Sequence, residues 1–363
     1  MKKRTKKTVL IHGAINTSNF GDVLFASLFY NRLSKDESRD VYFVEAPEYG
    51  VGEFVRNEIQ YKKHISWKKM ISADVLVYMS GGYFGDDKKS VRLSIRRFFR
   101  YTIIGLIFII RNKTIVVSGV GGGPVFNRGL RSIFVNILNH SKIITMRDAE
   151  SASYFKKNGV VKPILVTADT ALSITQESLP EIANREVKCW FAENENRKSI
   201  FFHLSTDAET DELISEKVVP NVLKFLDRNK EYKLIIGMDG YYDYHGTKTY
   251  GILEKVDFFE YQYSSAWQLC SVLNKVDIVL TYKLHVGIVA SALGKSIISY
   301  PIHKYKTQRF YQQIGESERC VPLKEIDGDS LYDMLELYKN KSISISKDIR
   351  EKARYNLDIL DNI

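Results

Sequence analysis

Cysteine is scarce: three residues in 363, at positions 189, 270 and 320, with no CxxC pair among them. That spacing excludes a disulfide framework and a zinc ribbon, and it fits a reducing, cytoplasmic setting. Proline is also sparse at seven residues, and no low-complexity tract or solenoid-length repeat is present, so the composition is that of an ordinary globular chain. Long hydrophobic runs are missing too. The most apolar stretch, Phe98 to Ile110, contains Arg100 and falls short of the about 20 residues a membrane span needs. The basic start MKKRTKK leads into only about four apolar residues before His12, fewer than the roughly 7–15 of a signal peptide. No HExxH, Walker A, GxSxG or GxGxxG pattern occurs, which argues against a zinc hydrolase, a P-loop enzyme, a serine hydrolase and a dinucleotide-binding site.

The formal charge is +10, a balance compatible with nucleic acid, anionic lipid or an acidic small substrate. Short β-branched runs that end in Gly or Ser alternate with helical patterns, which predicts parallel strands with crossover helices. Strands are expected at TVLIHGA, DVYFVEA, DVLVYMSGG, KTIVVSGVGGG, KIITMRD and ILVTAD, with helices near 22–34, 91–110, 128–139 and 148–158. A polar segment, residues 176–198, reads as a linker. A second series follows, with strands SIFFHLS, KLIIGMD, DIVLTY and SIISYPI, and helices near 208–228, 264–275, 284–293 and 307–314. The predicted organisation is α/β: a Rossmann-like domain over 1–178, a second over 196–325 facing it across a cleft, and C-terminal helices over 326–363.

Ligands of such sheets sit beyond the carboxyl ends of the strands. There the first half places NTSNFGD (16–22), SGGYFGD (80–86), SGVGGGP (118–124), MRDAES (146–151) and TADTA (167–171). Glycines allow close approach of a ligand to backbone, and helix N-termini offer amides to an anion; each turn taken alone is equally a structural connection. In MRDAES, Asp148 or Ser151 is a candidate helix cap, while Arg147 either binds a carboxylate or phosphate or closes an internal salt bridge. In the second half, strand DIVLTY runs into Lys283-Leu284-His285 at the start of a small-residue helix. Amide dipoles and Lys283 beside His285 favour its neutral form until an anion binds. His303, Lys304, Lys306 and Arg309 follow the next strand as a basic loop, either solvated or anion-binding. The stretch around residues 92–111 joins arginines to apolar residues, and is either a packed helix or an interfacial one.

Taken in order, these segments resemble the polysaccharide pyruvyl transferase family. Its NxGD loop corresponds to Asn19-Phe20-Gly21-Asp22, its SGGG turn to Ser80-Gly81-Gly82, and its GxGxGP turn to Gly119 through Pro124. Its RDxxS motif corresponds to Arg147 through Ser151, with the later Asp at Asp169; its RLH corresponds to Lys283-Leu284-His285, followed by Tyr300, Lys306 and Phe310. Two departures stand out. Lys283 replaces the family's arginine and lacks its bidentate fork, and Tyr83 replaces the third glycine of the SGGG turn.

The resemblance implies a fold similar to the GT-B glycosyltransferases and a phosphoenolpyruvate-dependent, ketal-forming transfer of pyruvyl to two sugar hydroxyls. It belongs to polysaccharide or exopolysaccharide biosynthesis for the cell envelope, needs no cofactor or metal, and uses phosphoenolpyruvate as donor substrate. His285, Asp22 and Asp169 are the implied catalytic residues. Arg147, Lys283, Leu284, Lys306, Gly122 and Gly123 are expected on the donor, and Asn19, Gly21, Gly81, Gly82 and Tyr83 on the acceptor. Expected partners are phosphoenolpyruvate and a sugar or lipid-linked glycan, with peripheral contact to the inner face of the membrane and no nucleic acid. A GT-B glycosyltransferase with a nucleotide-sugar donor, or a non-catalytic glycan-binding relative, are the alternatives.

Overall fold

The computed structural model describes residues 6–45, 50–85, 90–302 and 304–363, including every side chain of these except that of Lys304. Asp86 and His303, singled out above, lie outside the described residues. The chain forms two compact units, Met1–Thr170 joined by Asp348–Ile363, and Ala171–Lys347. Each is Rossmann-like.

In unit 1 the strands are β1 (Lys7–His12), β2 (Arg39–Phe43), β3 (Val75–Tyr78), β4 (Gly81–Phe84), β5 (Thr114–Gly122), β6 (Ile143–Met146) and β7 (Leu165–Val166). They pair in parallel in the order β2-β1-β3-β5-β6-β7, with β4 also on β5. Helices cover both faces, which is why β3 is buried at every position and reads as a continuous apolar run. The chain runs from β1 outward to β2, then returns to the other side of β1 as β3. The order therefore reverses between β1 and β3, and that is where such a sheet binds ligands.

Several helices begin where the sequence supplies a side-chain cap. Asn19, Ser90, Asn127 and Asp148 each accept a first-turn amide in unit 1, and Asn184, Asp207 and Ser265 do so in unit 2. Two helices expected to be continuous are broken. The 91–110 pattern divides at Thr102 into Val91–Tyr101 and Ile103–Ile110, where the Tyr78 hydroxyl donates to the Tyr101 carbonyl at 2.9 Å. The 208–228 pattern divides at Val218, because Pro220 has no N–H and its ring crowds the preceding turn.

Unit 2 holds β8 (Lys198–His203), β9 (Tyr232–Gly237), β10 (Phe258–Tyr261), β11 (Ile278–Thr281) and β12 (Ser296–Ser299), parallel in the order β10-β9-β8-β11-β12. Its reversal lies between β8 and β11. The 176–198 segment is not wholly linker, since Arg185–Glu193 is a helix capped by Asn184. Residues 326–363 hold two helices, as expected, but these belong to different units. Ser330–Tyr338 belongs to unit 2, whereas Lys347–Asp358 enters unit 1 from residue 348 onward.

Candidate functional site

In unit 1 the strand-order reversal gathers two of the predicted motifs. Asn19 caps the helix Phe20–Ser34 by accepting the Asp22 amide at 3.4 Å, so its Oδ1 is engaged in the fold. Gly21 is buried in the first turn beside it, and Asp22 is half-buried there, where a carboxylate is favoured by the helix dipole. Gly81 opens β4 at φ +151°, and a Cβ at that position would stand 4.0 Å from Asp22 Oδ1. The NxGD loop and the SGG turn therefore meet, with Gly82 half-buried next to them.

Tyr83 does not join the acceptor surface expected of it. It is 6% exposed, stacks on Tyr101 at 4.8 Å, and donates its hydroxyl to the carbonyls of Met79 at 2.5 Å and His12 at 3.2 Å. Burial holds its phenol well above the ordinary range, so it is neutral packing beneath the turn. His12, at the end of β1, lies between the rings of Tyr78 and Tyr101 at 5.3 and 5.7 Å. Burial, with the Arg100 charge as a second cause, brings its pKa down to about 3.

The glycine-rich end of β5 also departs from the phosphate-cradle expectation. The Gly122 amide donates to Ser151 Oγ and the Gly123 amide to the Phe84 carbonyl, each at 2.9 Å. A Cβ at Gly122 would come within 2.6 Å of Phe155, and one at Gly123, where φ is +70°, within 2.5 Å of Tyr154. These glycines let the helix Ala149–Lys157 pack against the strand end, and their amides are closed to a donor. Arg147 and Asp169 are both buried and form an ion pair at 3.0 Å, with Asp148 Oδ2 3.9 Å from Arg147 Nε. The internal salt bridge is thus formed. Asp169, expected as a base, holds Arg147 instead, because at 3% exposure its carboxylate has a fixed cation beside it.

In unit 2 the reversal between β8 and β11 carries a polar cluster. His203, wholly buried at the end of β8, has Nδ1 2.8 Å from Thr281 Oγ1 and Nε2 3.3 Å from Asp239 Oδ1. Tyr242 donates to the same Asp239 oxygen at 2.8 Å, and Lys283 Nζ approaches it at 3.9 Å. The ammonium also lies over the rings of Tyr242 and Tyr282, at 4.7 and 5.2 Å from their centroids. Burial lowers the His203 pKa, opposed by Asp239 and reinforced by Lys283. For Asp239 burial acts upward, but the neighbouring positive charge and the Tyr242 hydroxyl outweigh it and keep the carboxylate ionised.

Lys283 is the N-cap residue of the helix Leu284–Ala292, and Leu284 and His285 form its half-buried first turn. Lys306 is half-buried on Lys304–Gln313, and this helix packs on the one that carries His285: a Cβ at Gly287 would stand 2.7 Å from the Tyr311 hydroxyl. A cavity of about 390 Å³ opens at the ends of β8 to β10, lined by Leu204, Met238, Tyr241, Tyr261 and Tyr263 among others, and includes none of the predicted site residues. His203 and Asp239 were missed in the sequence reading. His203 ends one expected strand, in FFHLS, and Asp239 follows another, in IIGMDG, so inspecting those strand ends would have found them. Among the described residues, no group of three His, Cys, Asp or Glu is placed to hold a metal.

Two parallel Rossmann-like units with polar side chains at each reversal define a GT-B-type architecture. The UDP-GlcNAc 2-epimerase of Neisseria meningitidis, solved with UDP-GlcNAc, is similar at TM-score 0.62 and 12% identity, covering 98% of this chain and all of that one. The Methanocaldococcus jannaschii UDP-GlcNAc 2-epimerase, solved with UDP-GlcNAc and UDP, gives TM-score 0.60 at 12% identity, covering 99% and 100%. No curated protein matches the sequence. The chain belongs to the polysaccharide pyruvyl transferase family, which it matches over residues 19–303.

Proposed function

We propose that the protein transfers a pyruvyl group from phosphoenolpyruvate to two hydroxyls of a sugar or lipid-linked glycan, forming a cyclic ketal and releasing inorganic phosphate. The family match over residues 19–303 carries this reading, since its span takes in Asn19 to Asp22, Arg147 and Lys283 to His285. The donor bears a carboxylate and a phosphate. Lys283, Lys306 and the first-turn amides at Leu284 are cationic or amide ligands suited to such a group. Asp239 fixes the ammonium that stands in the family's arginine position.

His285 acts as the general acid. It gives its proton to the methylene carbon, creating an oxocarbenium-like centre with a methyl group. One sugar hydroxyl adds to that carbon as Asp22 accepts its proton. The C–O bond to phosphate then breaks, and the second hydroxyl closes the ketal, its proton leaving with phosphate. Bound phosphate beside His285 favours the protonated ring, so donor binding recharges the acid. Asn19, Gly21, Gly81 and Gly82 lie with Asp22 on the acceptor side of this scheme.

Incubation of candidate glycans with phosphoenolpyruvate is expected to release phosphate and add the mass of a ketal-linked pyruvyl group. His285→Ala is expected to lower turnover by about 100-fold or more, the usual contribution of a positioned general acid. Near-normal turnover in that variant would overturn the assignment, and thermal stabilisation by UDP-sugars with none by phosphoenolpyruvate would overturn the donor.

A further inference from the structure

The helix Val91–Tyr101 of unit 1 has a wider apolar arc than the core covers. At 3.6 residues per turn, Tyr101, Ser94 and Phe98 share the inward side, and Ser94 and Tyr101 are buried. The arc continues outward through Val91, Ile95 and Phe99, at i, i+4 and i+8, which are 71%, 52% and 55% exposed. Arg92, Arg96 and Arg100 come next around the helix, and no Asp or Glu occurs anywhere between Ser90 and Lys113. A row of large apolar side chains bordered by a row of one charge marks an interaction surface.

We infer that this helix docks in the interfacial plane of a membrane whose surface carries anionic lipid. Val91, Ile95 and Phe99 enter the acyl boundary while Arg92, exposed beside them, meets the headgroups. Charge selects this occupant: an apolar protein groove has no use for the arginine row, whereas anionic headgroups complement it and the net charge of +10. The helix is 11 residues long, and among the described residues no helix is long and apolar enough to cross a bilayer, so the contact lies along the surface.

Sedimentation of the full chain with phosphatidylcholine vesicles, with and without phosphatidylglycerol, tests this directly. Binding is expected only with phosphatidylglycerol, and is expected to weaken as salt rises. Ile95→Asp with Phe99→Asp is expected to abolish it. Arg92→Ala, an exposed change that leaves the fold intact, is expected to weaken it by about fivefold, equivalent to about 1 kcal/mol per surface arginine. Failure to bind anionic vesicles, or equal binding by the doubly substituted chain, would overturn the inference. So would light scattering that shows a dimer which this variant dissolves. Vesicle binding is read without any turnover, so its failure is distinct from failure of the proposed reaction.

Discussion

At position 356 one carboxamide makes four hydrogen bonds inside unit 1. Its oxygen accepts from Thr145 at 2.7 Å and Thr167 at 2.9 Å; its nitrogen donates to the Ala168 carbonyl at 2.9 Å and to Thr170 Oγ1 at 3.0 Å. The Asn356 carbonyl accepts from Ser118 as well. The side chain is wholly buried, so every donor and acceptor of the amide is matched where water does not reach. Asn356→Ala leaves four buried partners short and is expected to destabilise unit 1 by about 3 kcal/mol, measured by urea unfolding with probes confined to that unit. Asn356→Asp is expected to cost no less at pH 7, since a carboxylate would face the Ala168 carbonyl. A loss under about 0.5 kcal/mol, the range of a neutral surface change, would contradict this account. Nothing local marks Asn356 in the sequence. It stands in the polar helix Lys347–Asp358, and its importance comes only from the strand ends it meets.

The end of β5 shows how far an element can be read from its residues. The run TIVVSGVGG announces a buried strand, and the glycines after it announce close approach, both of which the structure contains. What approaches is a helix. Phe155 and Tyr154 of Ala149–Lys157 occupy the space that a Cβ would fill, and Ser151 takes the Gly122 amide. Sequence gives the permissiveness of a glycine but not the identity of its neighbour. Gly123→Ala, which combines φ +70° with the Tyr154 ring, is expected to destabilise unit 1 by about 2 kcal/mol, visible as a lowered melting temperature. A melting temperature equal to the parent's would mean that the ring moves aside without cost. The elements that were not legible are short or interrupted. Strand β10 is half-exposed over most of FFEY, β4 begins on a glycine that reads as a turn, and the helix Arg185–Glu193 buries only Val187. Their periodicity is too brief or too exposed to separate from loop.

Over the whole molecule the two units repeat one arrangement that the sequence reading took only in outline. The alternation of strands and helices gave the two Rossmann-like units, whereas the return of residues 348–363 to unit 1 depends on tertiary contacts such as Arg39 donating to the Leu360 and Asp361 carbonyls. Each unit ends its first strand in a buried histidine, His12 on β1 and His203 on β8, at the strand-order reversal where ligands of this architecture bind. Burial depresses both pKa values, His12 to about 3. The sign follows from proton counting. Between the ordinary imidazole value near 6.5 and the folded value, the unfolded chain binds a proton that the native unit does not, so stability is full above about pH 6.5 and is lost as pH falls. For His12 the loss reaches about 1.4 kcal/mol at pH 5.5, and His203 acts in the same direction in unit 2. Opening free energies from hydrogen exchange should therefore fall between pH 7.5 and 5.5 for peptides of β1 and β3 and for peptides of β8 and β9. His12→Leu should flatten the dependence in unit 1 and leave that of unit 2 unchanged, because each histidine titrates against its own unit's core. An unchanged slope in unit 1 would assign its acid sensitivity to the carboxylates instead.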